Sequence, residues 1–389
     1  MKIFLILILV TINTISKADY WTQKANYPGD GIVHSVCFSI GTKGYVGCGF
    51  DSTLVNWTHS DFWEFDPSTN VWTQKANVGG FSRGMAVSFS IGNLGYAGIG
   101  FSQGHGALSD FWEYNPINNI WTQKANFGGG NRDAAIGFSI GNMGYVGMGA
   151  DNSGTRYNDL WQYNPVTDSW IQKTSCPGPV RMRANTFVIG FDAYIICGAW
   201  YLNDVWKYNS ITDSWSQKGN FPKPYSSWAA TFSLSGFGYY GTGASGGVTN
   251  DFWLYNPAND TWVQKTNFIG APRAEASFFC IGLKGYLGLG HPNDFYEYTP
   301  DSILTTGIED IKKLTLKVFP NPFTNKLNVG LDVNEELEIT IYDLQSRKLL
   351  QQNFTKFISL NTEQLTKGVY IYEVRSRNGL CKKSKIIKD

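Results

Sequence analysis

A Trp-x-Gln-Lys unit begins at Trp21, Trp72, Trp121, Trp170, Trp215 and Trp262, at intervals of 45 to 51 residues. A second unit, Gly-Tyr-x-Gly-x-Gly, begins at Gly44, Gly95, Gly144, Gly238 and Gly285, with Ala193 to Gly198 as a worn copy. A third, Asp-apolar-aromatic, begins at Asp61, Asp110, Asp159, Asp204, Asp251 and Asp294. Three units recurring in one order constrain this chain more than any other feature, because a repeat that cannot bury its own apolar face must stack on its neighbours.

Each period of roughly 48 residues holds four short strand-like runs. In the third period these are Asp133–Ile140, Tyr145–Met148, Asp159–Tyr163 and Trp170–Lys173. Four antiparallel strands per period, with aromatics at fixed offsets, predict an all-β fold and a six-bladed β-propeller. The last Gly-Tyr unit, at Gly285, has no Trp unit after it. The N-terminal strand around Trp21 is therefore expected to complete the last blade and remove two open edges. Composition agrees: 43 Gly and 15% aromatics suit tight turns and wide inter-blade gaps. A net charge of +1 excludes a binder driven by nucleic-acid phosphates.

The period and the Tyr…Trp spacing resemble kelch repeats of the galactose oxidase-like propellers, over about residues 19–300. The usual Gly-Gly pair after the second strand is here Gly-x-Gly. The copper-oxidase chemistry of that group needs a Tyr, Cys and His set that finds no residue-by-residue match, so neither a metal nor another cofactor is expected.

Residues present in every period are most simply structural, and those that break the repeat are the better functional candidates. The six Asp of the third unit therefore read as turn or strand-end hydrogen bonders. Twelve positions before each Gly-Tyr unit stand Ile32, Arg83, Arg132, Arg181, Ser226 and Arg273. Two residues later stand His34, Met85, Ala134, Arg183, Trp228 and Glu275. Both rings belong at the mouth of the central channel. Arg forks grip anions and Trp stacks on apolar faces, which suits a sugar, carboxylate or phosphate. The candidate ligand-binding set is Arg83, Arg132, Arg181, Arg183, Arg273, His34, Trp228 and Glu275. A purely structural role for the repeated Arg, bonding loop carbonyls, competes with this.

The connections between second and third strands vary in length, from Phe50–Ser60 to His291–Asn293. They open on the same side as the mouth, where binding loops on a rigid scaffold are expected. All four histidines, His34, His59, His105 and His291, map to that face. No short-range pair among them sets a metal geometry. Of the six cysteines, Cys37 and Cys48 are expected to face each other across a hairpin, a pair that export could oxidise. Cys381 stands alone.

The ends differ from the middle. Residues 1–18 carry Lys2, an apolar run from Ile3 to Ile12, and Ser16-Lys17-Ala18, the pattern of a secretory signal peptide. Residues 19–311 hold 16 basic and 23 acidic side chains, whereas 312–389 hold 14 and 8. The shift marks a linker, 303–313, between the propeller (19–302) and a tail (314–389). Alternating runs such as Leu337-Glu-Ile-Thr-Ile-Tyr342 predict a small C-terminal β-sandwich. Val318-Phe-Pro-Asn-Pro-Phe323, Ile339-Thr-Ile-Tyr-Asp343, Lys367-Gly-Val-Tyr-Ile-Tyr372 and the closing Lys382 to Lys388 resemble the type A C-terminal sorting domain of the type IX secretion system. Ser346 departs from the Gly often found there. The resemblance implies partners in the type IX machinery, removal of the tail, and a product secreted or attached to the outer-membrane surface. No stretch beyond the signal peptide is apolar enough to span a bilayer, so no transmembrane helix is expected after its cleavage.

Three readings of function remain. The first is a secreted or surface propeller that binds a glycan or protein ligand through its loop face. The second is a carbohydrate-active enzyme, an epimerase, mutarotase or lyase using Glu275, His34 and the Arg ring. The third is an inert structural component whose mouth is plugged by aromatic side chains.

Overall fold

A computed structural model describes residues 18–51, 57–199, 202–223, 227–244, 246–301, 317–330, 336–345, 347–355, 357–376 and 382–389. The expected signal peptide, save Ala18, and the linker lie outside these residues, as do Ser226, Ser346 and Cys381.

Period-2 alternation of apolar residues builds the first sheet from β2 (Val36–Ile40), β3 (Lys43–Phe50), β4 (Thr58–Asp66) and β5 (Val71–Lys75), each strand antiparallel to the next. Four further sheets repeat this order, starting at Val87, Ile136, Asn185 and Ala230. The remaining one runs Ser277–Ile281, Lys284–Gly288 and Phe295–Thr299. Its fourth strand is the N-terminal β1 (Tyr20–Lys24), with Trp21 opposite Tyr298. Asp19 fastens that strand by accepting from the Thr266 backbone N–H and the Tyr298 hydroxyl, both at 2.9 Å. Among the described residues of 20–299 there are thus six four-stranded antiparallel sheets and no helix, a propeller-like all-β arrangement.

The repeated residues explain how the sheets meet. A Cβ at Gly44, Gly95, Gly144, Gly238 or Gly285 would overlap the ring of Phe279, Phe38, Phe89, Phe187 or Phe232, each from the first strand of the preceding sheet. The Gly-Tyr unit is therefore a socket for the neighbour's Phe. On the outer side, the Trp72, Trp121, Trp170 and Trp215 indoles donate to the carbonyls of Ala25, Ala76, Ala125 and Thr174 in the preceding sheet's exit loop, at 2.7–3.1 Å. Trp21 makes the same bond to Thr266 at 3.2 Å. Five of the six inter-sheet layers are thereby both apolar and hydrogen-bonded through the indole, whereas the enclosed Trp262 indole N–H finds no acceptor.

In the tail, Lys317–Phe319, Lys326–Gly330 and Phe357–Asn361 form one sheet; Glu336–Tyr342, Lys348–Thr355, Gly368–Ser376 and Lys382–Lys388 form another. Leu327, Val329, Ile339, Ile341, Tyr372 and Ile386 fill one core between them. Tyr342 also packs on Phe191, ring centroids 4.9 Å apart, at a hairpin turn of the fourth sheet.

Candidate functional site

Each second strand ends in a bulge. Cys48, Ile99, Met148, Cys197, Thr242 and Leu289 all have φ between 50° and 61°, and the bulge re-aims the chain toward the loop face. The arginines lock it. The Arg83 guanidinium donates to Asp110 Oδ1 and Oδ2 at 2.7 and 2.6 Å, to the Ile99 carbonyl at 3.1 Å and to the Phe81 carbonyl at 3.0 Å. Arg132 pairs with Asp159, Arg181 with Asp204 and Arg273 with Asp294 in the same way, each also donating to the bulge carbonyl. The indole two residues on, Trp112, Trp161 or Trp206, donates to the second carboxylate oxygen at 2.6–2.9 Å.

This corrects the expectation that Arg83, Arg132, Arg181 and Arg273 contact ligand. All four side chains are 0–1% exposed. Their forks are spent on stitching the start of the first strand to the bulge and to the start of the third strand. Four of the six repeated Asp residues, Asp110, Asp159, Asp204 and Asp294, are the other half of these pairs.

The second ring is different. His34, Met85, Ala134, Arg183, Trp228 and Glu275 all take left-handed backbone conformations, φ 48–65°. Their backbones are chained across sheets: Arg183 N–H to Ala134 C=O, Ala134 to Met85, Met85 to His34, His34 to Glu275 and Glu275 to Trp228, at 2.9–3.3 Å. One geometry thus presents six different side chains around the mouth. His34 Nε2 lies 3.1 Å from Glu275 Oε1. The Arg183 guanidinium sits 4.0 Å over the Trp228 ring, and His34 meets Trp228 edge-on at 4.8 Å. These four side chains border a cavity of about 180 Å³ that runs in between the first strands. Burial pushes the Asp133 carboxyl up, against the pull of nearby Arg183. Sequence reasoning missed Asp133, although it too breaks its repeat column.

The histidines do not converge. His34 belongs to the mouth, His105 stacks on Phe81 at 3.7 Å, His59 stands near Asp30 and Asp61, and the His291 ring lies against Gly31. Among the described residues no group of three or more His, Cys, Asp or Glu could hold a metal ion.

The cysteine expectation also needs correction. The hairpin register sets Cys37 opposite Val46 and Val36 opposite Gly47, which leaves Cys48 in the bulge beyond the paired segment. Cys37, Cys48, Cys176, Cys197 and Cys280 are all free thiols.

Comparison with known proteins bears on the fold and on the tail. The family described as "Secretion system C-terminal sorting domain" matches residues 317–389. The solved structure titled "Structure of YjhT" is similar at 14% identity and a TM-score of 0.60, covering 71% of this chain and 95% of that one. That likeness concerns the fold alone. A search of the curated proteins finds no match. No helix among the described residues is long and apolar enough to cross a membrane. The chain carries a C-terminal type IX sorting domain, which indicates export and a secreted or cell-surface location.

Proposed function

We propose that residues 19–302 form a six-bladed kelch-type β-propeller, closed by β1, and that residues 314–389 are a separate sorting domain joined to it by the 303–313 linker. Outside the cell, the propeller acts as a binding protein for a glycan or protein ligand. The contact surface is the mouth formed by His34, Arg183, Trp228 and Glu275. The observation that carries this reading is the second ring: six backbones of one left-handed geometry, chained by five equivalent hydrogen bonds, hold six unlike side chains. A scaffold needs only the backbone; the side chains are free to be chosen for recognition. The enzyme reading needs Glu275 and His34 to face a substrate, but at 3.1 Å they face each other.

The test uses the chain from Asp19 onward, applied to a glycan array and to pull-down from its natural surroundings. Specific binding that Trp228→Ala and Arg183→Ala each reduce about tenfold or more supports the mouth as the site. A folded protein that binds nothing in both formats removes the proposal.

A further inference from the structure

The first sheet departs from its siblings at a second place on the loop face, away from the mouth. In four sheets the Asp that opens the third strand holds an Arg fork, and in the fifth Asp251 holds Lys223 Nζ at 2.8 Å. In the first sheet the Arg position is Ile32, an enclosed apolar side chain. Asp61 has no Lys or Arg partner among the described residues. Its Oδ2 accepts from the Trp63 indole at 2.9 Å and the Tyr27 hydroxyl at 3.2 Å. Its Oδ1 is enclosed and accepts nothing.

Three more repeat-breaking residues meet there. Tyr27 stands where other sheets have Val78, Phe127, Cys176, Phe221 and Phe268; Asp30 where they have Phe81, Gly130, Pro179 and Ala271; His59 where they have Leu108, Tyr157, Thr249 and Pro292. His59 Nδ1 lies 3.8 Å from Asp61 Oδ1 and 3.9 Å from Asp30 Oδ2, too far for hydrogen bonds. His59 Nε2 is likewise enclosed without a partner. A cavity of about 490 Å³ opens beside these groups, lined by Asp30, His59, Ser60, Asp61 and Asn77 among others. The Asp30 side chain is 64% exposed at its rim. Enclosed polar atoms without partners are costly, and such sites call for a donor from elsewhere.

We propose that this pocket of the first sheet binds a guanidinium group, the arginine side chain of a partner polypeptide, which takes the place that the chain's own Arg fills in the sibling sheets. The internal precedent fixes the chemistry. The same Asp, next to the same indole, grips a planar fork in four sheets, and a guanidinium satisfies two carboxylates where an ammonium offers a point charge. Asp30 adds a second carboxylate that no sibling has. The inference uses no residue of the mouth and stands apart from the glycan or protein reading.

The experiment titrates the full chain from Asp19 onward, 15N-labelled and at low salt, with N-acetyl-arginine amide, N-acetyl-lysine amide and the neutral N-acetyl-citrulline amide. The readout is the Trp63 indole N–H resonance. The expected result is a saturable shift with arginine, a weaker one with lysine and none with citrulline. Asp30→Asn should weaken arginine binding about tenfold. Ile32→Arg should fill the pocket from within, moving the Trp63 resonance without ligand and abolishing the titration. No saturable shift, equal shifts by citrulline or lysine, or an unchanged affinity in Asp30→Asn overturns the proposal. Because Asp30 is exposed, that variant decides the matter even where Ile32→Arg does not fold.

Discussion

Arg83 and Asp110 meet through two near-parallel N–H···O bonds, 2.7 and 2.6 Å long, with the guanidinium fully enclosed. The pair ties three strands of one sheet at a single point. Arg83→Ala removes one partner and leaves the other carboxylate against the protein interior. Such a break costs about 3–5 kcal/mol. Urea unfolding of Arg83→Ala, Asp110→Ala and the double variant should show strong coupling, the double costing much less than the two singles added.

The same pair sets a dependence on acid. Burial alone would raise the Asp110 carboxyl, but the bonds from Arg83 and Trp112 hold it below the usual carboxylate range. A lowered folded-state value means the unfolded chain binds more protons in that window, so stability rises with pH. The contribution is complete above the ordinary Asp value of about 3.9 and is lost as pH falls through the lower folded value. Melting temperatures measured from pH 7 down to about 2.5 should fall steeply below about pH 4 for the parent. For Asp110→Asn they should start lower and fall less.

The N-terminal strand β1 is held to its sheet largely by one aromatic. Trp21 is nearly buried and touches Phe252, Phe268 and Tyr298 at ring distances of 4.9–5.1 Å. Trp21→Ala should cost about 3–5 kcal/mol. Hydrogen exchange should show the loss concentrated in Phe295–Thr299, which pairs with β1. Uniform loosening of all six sheets would argue against a clasp.

The thiols should be inert in the folded protein. Burial raises Cys37 and Cys176 to about 11 and Cys48 to about 12, so at neutral pH almost no thiolate exists to react. Iodoacetamide at pH 7.5 should leave these three unmodified in native protein and label them after unfolding. Rapid native labelling at Cys48 would contradict its buried setting.

Legibility in the sequence varied with how local the cause was. The strand-like runs, the placement of the Gly-Tyr units and the strand around Trp21 could be read because each repeats, or conspicuously fails to repeat, along the chain. The arginines illustrate the limit. Their register was plain, and so was that of the six Asp. That Arg83 reaches Asp110, 27 residues on, is set by how the bulge at Ile99 folds the loop back, which no periodicity reports. The Cys37 and Cys48 expectation failed because the hairpin turns at Gly41-Thr42, with Ile40 opposite Lys43, and this register sets Cys37 opposite Val46.

The sequence by itself determined an all-β repeat protein with a sorting tail, because strand periodicity, turn chemistry and motif order are properties of neighbouring residues. Only the tertiary structure decided which charged groups are consumed and which are offered. Arg132 and Asp159 lie in the chain much as Asp61 and Ile32 do, yet one carboxylate is filled and the other is left open. The physical reason is that burial and pairing depend on the distance between side chains brought together by the fold, and a carboxylate held by an enclosed guanidinium has no bonding capacity left for a ligand.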